Sequence, residues 1–245
     1  MTISTPTTQL RPAADRGTTR IGWLDSKHSF SFGGYHDPQK MTYHGLRVLN
    51  DDRVAPGTPG NPSGFDTHPH RDMEILTWVL DGELAHRDSM GHASSLGAGG
   101  IQLMSAGTGV SHSEFNGRSD APVHFLQVWI MPREKGTTPR YQEALPDPAT
   151  RDGQFAPLAT TDGREGSLTI GADADVYVGD FAEGQSATLD LPEGNVAYVH
   201  VATGRVVVNG QPAAAGDAVT AEGHDQVTVE GTDEPGQVLV FVLPA

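Results

Sequence analysis

Glycine and proline interrupt this chain at short intervals, and their spacing limits what it can fold into. Thirty glycines and 17 prolines are spread over 245 residues in turn-like clusters rather than collected in one low-complexity block. Because both residues favour tight turns, they cut the chain into short segments. Many segments are β-branched or alternate apolar and polar residues, whereas convincing helical periodicity is scarce. We therefore predict an all-β fold.

The segments between these turns are predicted as strands, and their distribution suggests two domains. The predicted strands are 45–50, 73–80, 84–88, 100–104, 123–131, 168–171, 176–181, 186–191, 196–201, 205–208, 218–220, 226–229 and 237–243. Between residues 132 and 154 the pattern gives way to prolines and charges, which is typical of an interdomain connection. We expect an N-terminal domain over residues 1–147 and a C-terminal domain over residues 148–245. Residues 1–20 are predicted to form a solvated arm.

Two stretches of the chain share a layout that indicates an internal repeat. In residues 78–104 and 200–219, a strand meets a glycine, at Gly82 and Gly204 respectively. A second strand and a turn follow, and a glycine-rich corner then leads into another short strand. This layout predicts two tandem β-barrels, each a double-sheet jelly roll of the cupin kind.

The composition excludes several classes of function. Sixteen Lys and Arg against 31 Asp and Glu give a formal charge of −15, so we expect no direct nucleic-acid binding and no attraction to anionic lipid. The chain has no cysteine, which removes disulfides, thiolate nucleophiles and Cys-ligated metals. The longest apolar runs, 75–80 and 238–243, fall far short of the roughly 20 residues of a membrane-spanning helix. The N-terminus lacks the apolar run of a secretory signal, and a cytoplasmic location is expected.

The placement of the histidines points to a metal site. His68 and His70 lie two residues apart, and His112 and Glu114 repeat that spacing. On extended segments residues i and i+2 leave the same face, so each pair is arranged to capture one ion, and neighbouring strands would bring both pairs together. A single histidine is ordinarily a surface or hydrogen-bonded residue, but the two pairs together predict a metal centre.

Three imidazoles and one carboxylate leave two positions of an octahedron open, unlike the closed shell of a structural zinc. Such a site admits a substrate or dioxygen. The donor set suits one divalent transition metal. Fe(II) is the first expectation, with Ni, Cu, Mn, Co or Zn as alternatives.

Several motifs resemble those of one known family. Residues 65–74 (FDTHPHRDME), 78–82 (WVLDG) and 105–116 (SAGTGVSHSEFN) look like the metal-site motifs of the pirin family of bicupins. Residues 23–35 (WLDSKHSFSFGGY) and 138–142 (TPRYQ) resemble further signatures of that family. The resemblance covers at least residues 21–142, and the C-terminal half resembles the second cupin of bacterial members in outline.

The resemblance implies a fold of two β-barrels with one metal, in the N-terminal barrel. It implies His68, His70, His112 and Glu114 as the ligands, and all four positions hold the expected residue type. The general cupin pattern would instead expect a ligand near Glu74, and we interpret Glu74 as a structural or supporting group. In the second half no metal site is expected, and that barrel is expected to stabilise the first one.

The resemblance also implies quercetin 2,3-dioxygenase activity, in which a flavonol is opened by O₂ with loss of carbon monoxide. The partners are then a small aromatic substrate and O₂. Glu114, at the same metal, would take the proton as general base when its bond to the ion loosens. Four aromatic residues are candidates for the pocket wall, although core packing is their more ordinary role, and these are Phe32, Phe65, Trp78 and Phe125. The alternative function is a metal-containing, redox-sensing regulatory module that docks a protein partner without turnover.

Overall fold

The structure is a computed structural model that describes residues 5–58 and 60–245, and strands dominate it. The chain folds into two compact units. The first contains Arg16–Pro146 and Ile170–Ala172, and it is termed the N-terminal unit. The C-terminal unit contains the segment up to Asp15, Asp147–Thr169 and Asp173–Ala245.

Among the described residues, eleven strands belong to the N-terminal unit. They are β2 (Gly17–Ile21), β3 (Leu24–His28), β4 (Leu46–Val54), β5 (Gly64–His70), β6 (Glu74–Asp81), β7 (Glu83–Asp88), β8 (Ala93–Gly97), β9 (Ile101–Ser105), β10 (Val110–Asn116), β11 (Val123–Ile130) and β12 (Arg140–Ala144).

Eleven further strands of the described chain belong to the C-terminal unit. They are β1 (Thr7–Arg11), β13 (Ala156–Thr160), β14 (Leu168–Thr169), β15 (Asp175–Phe181), β16 (Ser186–Asp190), β17 (Asn195–Thr203), β18 (Arg205–Val208), β19 (Gln211–Ala214), β20 (Ala218–Glu222), β21 (Gln226–Gly231) and β22 (Gly236–Pro244). The helical content of the described residues is three single 3₁₀ turns, at Ala13–Asp15, Pro148–Thr150 and Arg164–Gly166. The expectation of an all-β fold is confirmed.

The two units share the arrangement of their central strands, which establishes the internal repeat, and differ at the edges of their seven-stranded sheets. The N-terminal unit has a seven-stranded sheet in the order β12-β9-β6-β11-β4-β3-β2 and a four-stranded sheet in the order β5-β10-β7-β8. The C-terminal unit has the orders β1-β20-β17-β22-β15-β13-β14 and β16-β21-β18-β19. The central strands therefore correspond one to one, with β6 matching β17, β11 matching β22 and β10 matching β21.

The two glycines that marked the repeat in the sequence occupy the same conformation in the two units. Gly82 has a φ of +79° and Gly204 a φ of +65°, a region in which L side chains are strained. A Cβ on Gly82 would lie 2.5 Å from the carbonyl oxygen of Pro122, and one on Gly204 would overlap the carbonyl oxygen of Pro235. Each glycine thus allows a tight turn between two strands against the backbone of a neighbouring loop.

The Gly204→Ala variant is expected to lower the free energy of unfolding by about 2–4 kcal/mol, because it adds left-handed strain to a steric overlap. Gly184→Ala is the matched control, since Gly184 has a φ of +82° with open space around its Cβ position. That control should cost only about 1–2 kcal/mol, the conformational part. Urea unfolding of both variants measures the difference, and equal losses would contradict the close-approach explanation.

The expectation of a solvated arm over residues 1–20 is wrong for its described strands, while residues 1–4 lie outside the described residues. Strand β1 pairs antiparallel with β20, from Thr7 opposite Glu222 to Arg11 opposite Ala218, and Leu10 packs against the core of the C-terminal unit. Strand β2 pairs with β3 in the N-terminal unit. Each strand is the outermost strand of its sheet and is held there by backbone hydrogen bonds. A hydrophobicity pattern does not reveal backbone pairing of this kind.

The interiors of the two units differ in chemistry. The core of the C-terminal unit is an apolar cluster dominated by valine, and it includes Val227 and Val229 of β21. The corresponding strand of the N-terminal unit, β10, carries His112 and Glu114 instead, and both are buried. No helix in the part of the chain that the structure describes is long and apolar enough to cross a membrane.

Candidate metal centre

Strands β5 and β10 bring the two predicted pairs of donor residues together. The strands are antiparallel neighbours in the four-stranded sheet, with His112 opposite His68 and Val110 opposite His70. The ladder has an irregularity between His112 and Glu114, so Glu114 lies opposite Phe65. Because side chains alternate along each strand, both pairs keep the same-face arrangement that their spacing predicts.

The three histidines form a tight cluster in the structure. His68 Nε2 and His112 Nε2 are 3.1 Å apart, and the ring centroids of the three pairs are separated by 4.5–4.9 Å. One ring nitrogen from each of His68, His70 and His112 lies within 4.8 Å of the other two. Two imidazole nitrogens bound to the same ion at about 2.1 Å and a right angle lie roughly 3 Å apart, so the spacing matches a shared cation.

The protonation states of His70 and His112 also suit metal binding. Burial lowers the pKa of His70 to about 3, and the positive charges of His112 and His68 add to the effect. Burial likewise lowers the pKa of His112 to about 3. Neutral imidazoles have the free lone pair that a metal ligand needs. His70 Nε2 is buried without a hydrogen-bond partner, which is the atom that a bound ion would satisfy.

Glu114 lies beside this cluster in a second group of possible donors. It is buried, and one of its carboxylate oxygens lies within 4.8 Å of a nitrogen of His112 and of His86. The structure therefore places Glu114 with His112, while His68 and His70 join His112 in the first group. Desolvation raises the pKa of Glu114 above its ordinary value.

Three polar side chains hold the Glu114 carboxylate, and none of them was predicted from the sequence. Gln102 Nε2 donates to Oε1 at 2.7 Å, Gln127 Nε2 donates to Oε2 at 2.7 Å, and Thr77 Oγ1 donates to Oε1 at 3.3 Å. Thr77 lies opposite both glutamines in the ladder, because β6 runs between β9 and β11. The available signal was a polar residue flanked by apolar ones inside each of these three largely apolar strands, since a buried amide needs a specific partner.

His86 is a further residue at the site that the sequence left undecided. It lies opposite Glu114 in the β7–β10 ladder, is buried, and has its ring 5.3 Å from that of His112. Its Nε2 is 3.4 Å from Asp88 Oδ2, an atom that also lies 2.9 Å from Nδ1 of the more exposed His92. The signal was the His86–Asp88 spacing, which puts both side chains on one face of a strand.

The other residues singled out in the sequence lie outside the donor cluster, either in the core or in the wall of a cavity. The Glu74 carboxylate is buried and accepts hydrogen bonds from Ser105 Oγ and from the Gly171 amide, away from both donor groups. Of the four aromatic candidates, Trp78 and Phe125 are fully buried core residues. Phe32 and Phe65 line a cavity beside the cluster.

This cavity encloses about 190 Å³ within the N-terminal unit. His68 and Glu114 form part of its wall, so the donor cluster opens onto it. Phe32, Phe65 and Trp129 supply an aromatic wall, and Trp129 also contacts the His70 ring edge-on, with centroids 4.9 Å apart. A cavity with apolar walls and a few polar groups is the usual form of a small-molecule site.

A second buried carboxyl group, Asp52, lines the same cavity. Burial, helped by the charges of Asp51 and Glu114, raises the pKa of Asp52 to about 7, although a hydrogen bond from Ser26 and the charge of Arg16 act in the opposite direction. Between its ordinary pKa of 3.8 and about 7, the folded protein holds a proton that the unfolded chain has lost. The free energy of unfolding therefore falls as the pH rises through this range, and levels off above it.

The Asp52→Asn variant is expected to lack this fall. Relative to wild type, its free energy of unfolding should increase from about pH 4 to about pH 8, by a total on the order of 4 kcal/mol at about 1.4 kcal/mol per pKa unit. Urea unfolding of chelator-treated protein across this range measures the effect. The Asp81→Asn variant, in which an exposed carboxylate is removed, is the control for the general loss of one charge. If the free energy of unfolding depends on pH in the same way in Asp52→Asn and in wild type, the prediction is wrong.

Comparison with known proteins shows what this chain is similar to. Residues 9–130 match the family model described as Pirin, and residues 158–243 match that of the quercetinase C-terminal cupin domain. The chain is 40% identical over 235 residues to the quercetin 2,3-dioxygenase of Escherichia coli K12, covering 96% of this chain and 98% of that protein. The chain belongs to the pirin family. The second match extends the resemblance through the C-terminal half of this pirin.

Solved structures of relatives agree with this assignment. The bacterial pirin YhhW of Escherichia coli, in complex with nickel(II), superposes with a TM-score of 0.89 at 38% identity, over 97% of this chain and 99% of that one. A quercetin 2,3-dioxygenase of Acinetobacter baumannii superposes with a TM-score of 0.73 at 25% identity, over 93% of this chain and 84% of that one. The expected bicupin fold is confirmed.

Proposed function

We propose that this pirin is a metal-dependent dioxygenase that opens a flavonol such as quercetin with O₂. The observation that carries the proposal is a cluster of three histidines and a buried glutamate beside an aromatic-lined cavity. The name of the Escherichia coli relative supports the flavonol substrate, and it favours turnover over the regulatory alternative.

The proposed ligands are His68, His70, His112 and Glu114, holding one divalent transition metal. Fe(II) remains the first candidate, and the nickel(II) complex of the Escherichia coli pirin supports a divalent ion without fixing which one this chain takes. When bound, such an ion supplies Lewis acidity, which lowers the pKa of a hydroxyl group beside it. The proposal places the ion and the substrate in the domain of residues 1–147, and gives the domain of residues 148–245 a supporting role.

The residues around the cluster have distinct roles in this reaction. Phe32, Phe65 and Trp129 bind the flat aromatic rings of the flavonol and exclude water. Glu114, when it is not held as a ligand, accepts the proton of the flavonol 3-hydroxyl as the general base. Gln102 and Gln127 are positioning residues, because they fix both oxygens of that carboxylate.

The proposal is tested by metal analysis and anaerobic substrate addition. Protein purified without chelators is analysed by mass spectrometry, mixed with quercetin under nitrogen, and then exposed to O₂. We expect about one metal per chain, a shifted quercetin absorbance before O₂ is added, and bleaching with release of carbon monoxide afterwards. One metal per chain with no change in the quercetin spectrum would reject the dioxygenase and retain the site, and protein that takes up no metal would reject both.

A further inference from the structure

The cavity beside the metal cluster has a polar side that the proposed reaction does not use. This side is formed by β3 and β4, which pair with Ser26 opposite Asp52 and His28 opposite Asn50. All four residues line the cavity. Because residues i and i+2 of a strand share a face, Asn50 and Asp52 both point inward from β4.

Most of the polar groups on this side are already paired with protein atoms. His28 Nδ1 lies 2.8 Å from Asn50 Oδ1, and its Nε2 lies 2.8 Å from the hydroxyl oxygen of Thr19, so both ring nitrogens have partners. Asp52 differs, since its side chain is buried and its Oδ1 has no hydrogen-bond partner. A buried carboxyl oxygen without a partner is costly, so a ligand group in the cavity that hydrogen-bonds to it would remove that cost.

The charges around Asp52 indicate what kind of group would complete it. Asp51 is its neighbour on β4, and Glu114 lines the same cavity. Arg16 is the positive group that acts on Asp52, and it also lies 3.7 Å from Asp51. An anionic ligand group in this cavity would be repelled by the carboxyl groups of Asp52 and Glu114, so the ligand group that fits is neutral. A hydroxyl suits both states of Asp52, because it donates to a carboxylate and accepts from a carboxylic acid.

We propose that Asp52 binds a second hydroxyl of the aromatic substrate, other than the one presented to the histidine cluster, and so selects polyhydroxylated aromatic substrates. This inference rests on the proposed function. It makes Asp52 a specificity-determining residue, since a site built to hydrogen-bond one hydroxyl discriminates strongly against the analogue that lacks it.

The test measures anaerobic binding rather than turnover. Dissociation constants are determined by tryptophan fluorescence quenching, with Trp129 in the cavity wall, for quercetin and for flavonols that each lack one or more of its hydroxyls other than the 3-hydroxyl. In wild-type protein, at least one deletion should weaken binding by about tenfold or more. In Asp52→Ala the same deletion should change binding by less than about threefold, while Asp52→Asn, which keeps hydrogen-bonding capacity, should restore part of the discrimination.

Asp51→Asn is the matched control, because Asp51 is buried on the same strand but pairs with Arg53 and His124 rather than lining the cavity. It should discriminate between the flavonols as wild type does. Full discrimination in Asp52→Ala, or an equal loss of affinity for every flavonol, would overturn the inference alone. Failure of metal-loaded wild-type protein to bind any flavonol would overturn the proposed function and this inference together. Thermal unfolding of each variant establishes that it is folded. Wild-type protein treated with chelator should discriminate between the flavonols in the same pattern as untreated wild type.

Discussion

Replacement of His112 with alanine is expected to abolish both metal retention and flavonol cleavage. His112 belongs to both groups of possible donors, and it is buried with its Nε2 3.1 Å from that of His68. Loss of a supporting residue around a metal typically weakens binding by about 10–100-fold, and loss of a ligand should exceed that range. Metal content after dialysis at a fixed free-metal concentration, together with O₂ uptake in the presence of quercetin, measures the effect.

The control for this variant is His36→Ala. His36 is exposed and lies outside both donor groups, so its removal should leave metal content and O₂ uptake unchanged. Thermal unfolding of the two variants in chelator shows whether the histidine is needed for folding. One metal per chain retained by folded His112→Ala would reject the proposed ligand set.

Replacement of Glu114 with glutamine is expected to separate proton transfer from metal holding. The variant keeps the size of the side chain, and reorientation of the Gln102 or Gln127 amide lets one of them accept from the new NH₂ group. Because the amide oxygen of glutamine can still bind a divalent ion, we expect the variant to retain metal with weakened affinity, while kcat of the metal-loaded protein falls by about 10²–10⁴-fold, the usual contribution of a general base. Metal content, the anaerobic quercetin spectrum and single-turnover kinetics measure these quantities.

Glu74→Gln provides the matched control for this comparison. Glu74 is also a buried carboxyl whose pKa is raised by desolvation, but it bonds to Ser105 and Gly171 rather than to the site. Its replacement should leave kcat within a few-fold of wild type. Turnover of Glu114→Gln near the wild-type rate would contradict the base role, and loss of metal together with turnover would assign Glu114 mainly to metal holding.

The predicted strands show where sequence patterns succeed. Every predicted segment overlaps an observed strand, because buried strands such as β6 and β22 are long apolar runs bounded by turn residues. Strands β1, β2, β3, β5, β8, β10, β12, β13 and β19 were not delineated in that way. Several of these are mixed or polar in sequence. The two site strands, β5 and β10, were expected only as extended segments that carry the donor pairs, because their inward-facing side chains include polar residues such as His68 and Glu114 and so give no apolar run.

The local spacing of residues was enough to select His68, His70, His112 and Glu114 as a group. Residues i and i+2 share a face in any strand, so each pair is arranged by the backbone alone, whatever the rest of the chain does. The repeat of the two units was also visible, because a turn with positive φ demands glycine at Gly82 and Gly204.

The surroundings of that group depended on strand pairing between residues far apart in the chain. Thr77, Gln102 and Gln127 meet Glu114 across separations of 37, 12 and 13 residues. Asp52 reaches the same cavity from β4, and β1 pairs with β20 near the other end of the chain. Alternation along a strand tells which side chains point inward, but only sheet order and register decide which of them meet. The sequence alone therefore determined the two donor pairs, because their spacing is local. Sheet order and register, which only the tertiary structure shows, determined the buried network around Glu114 and the cavity.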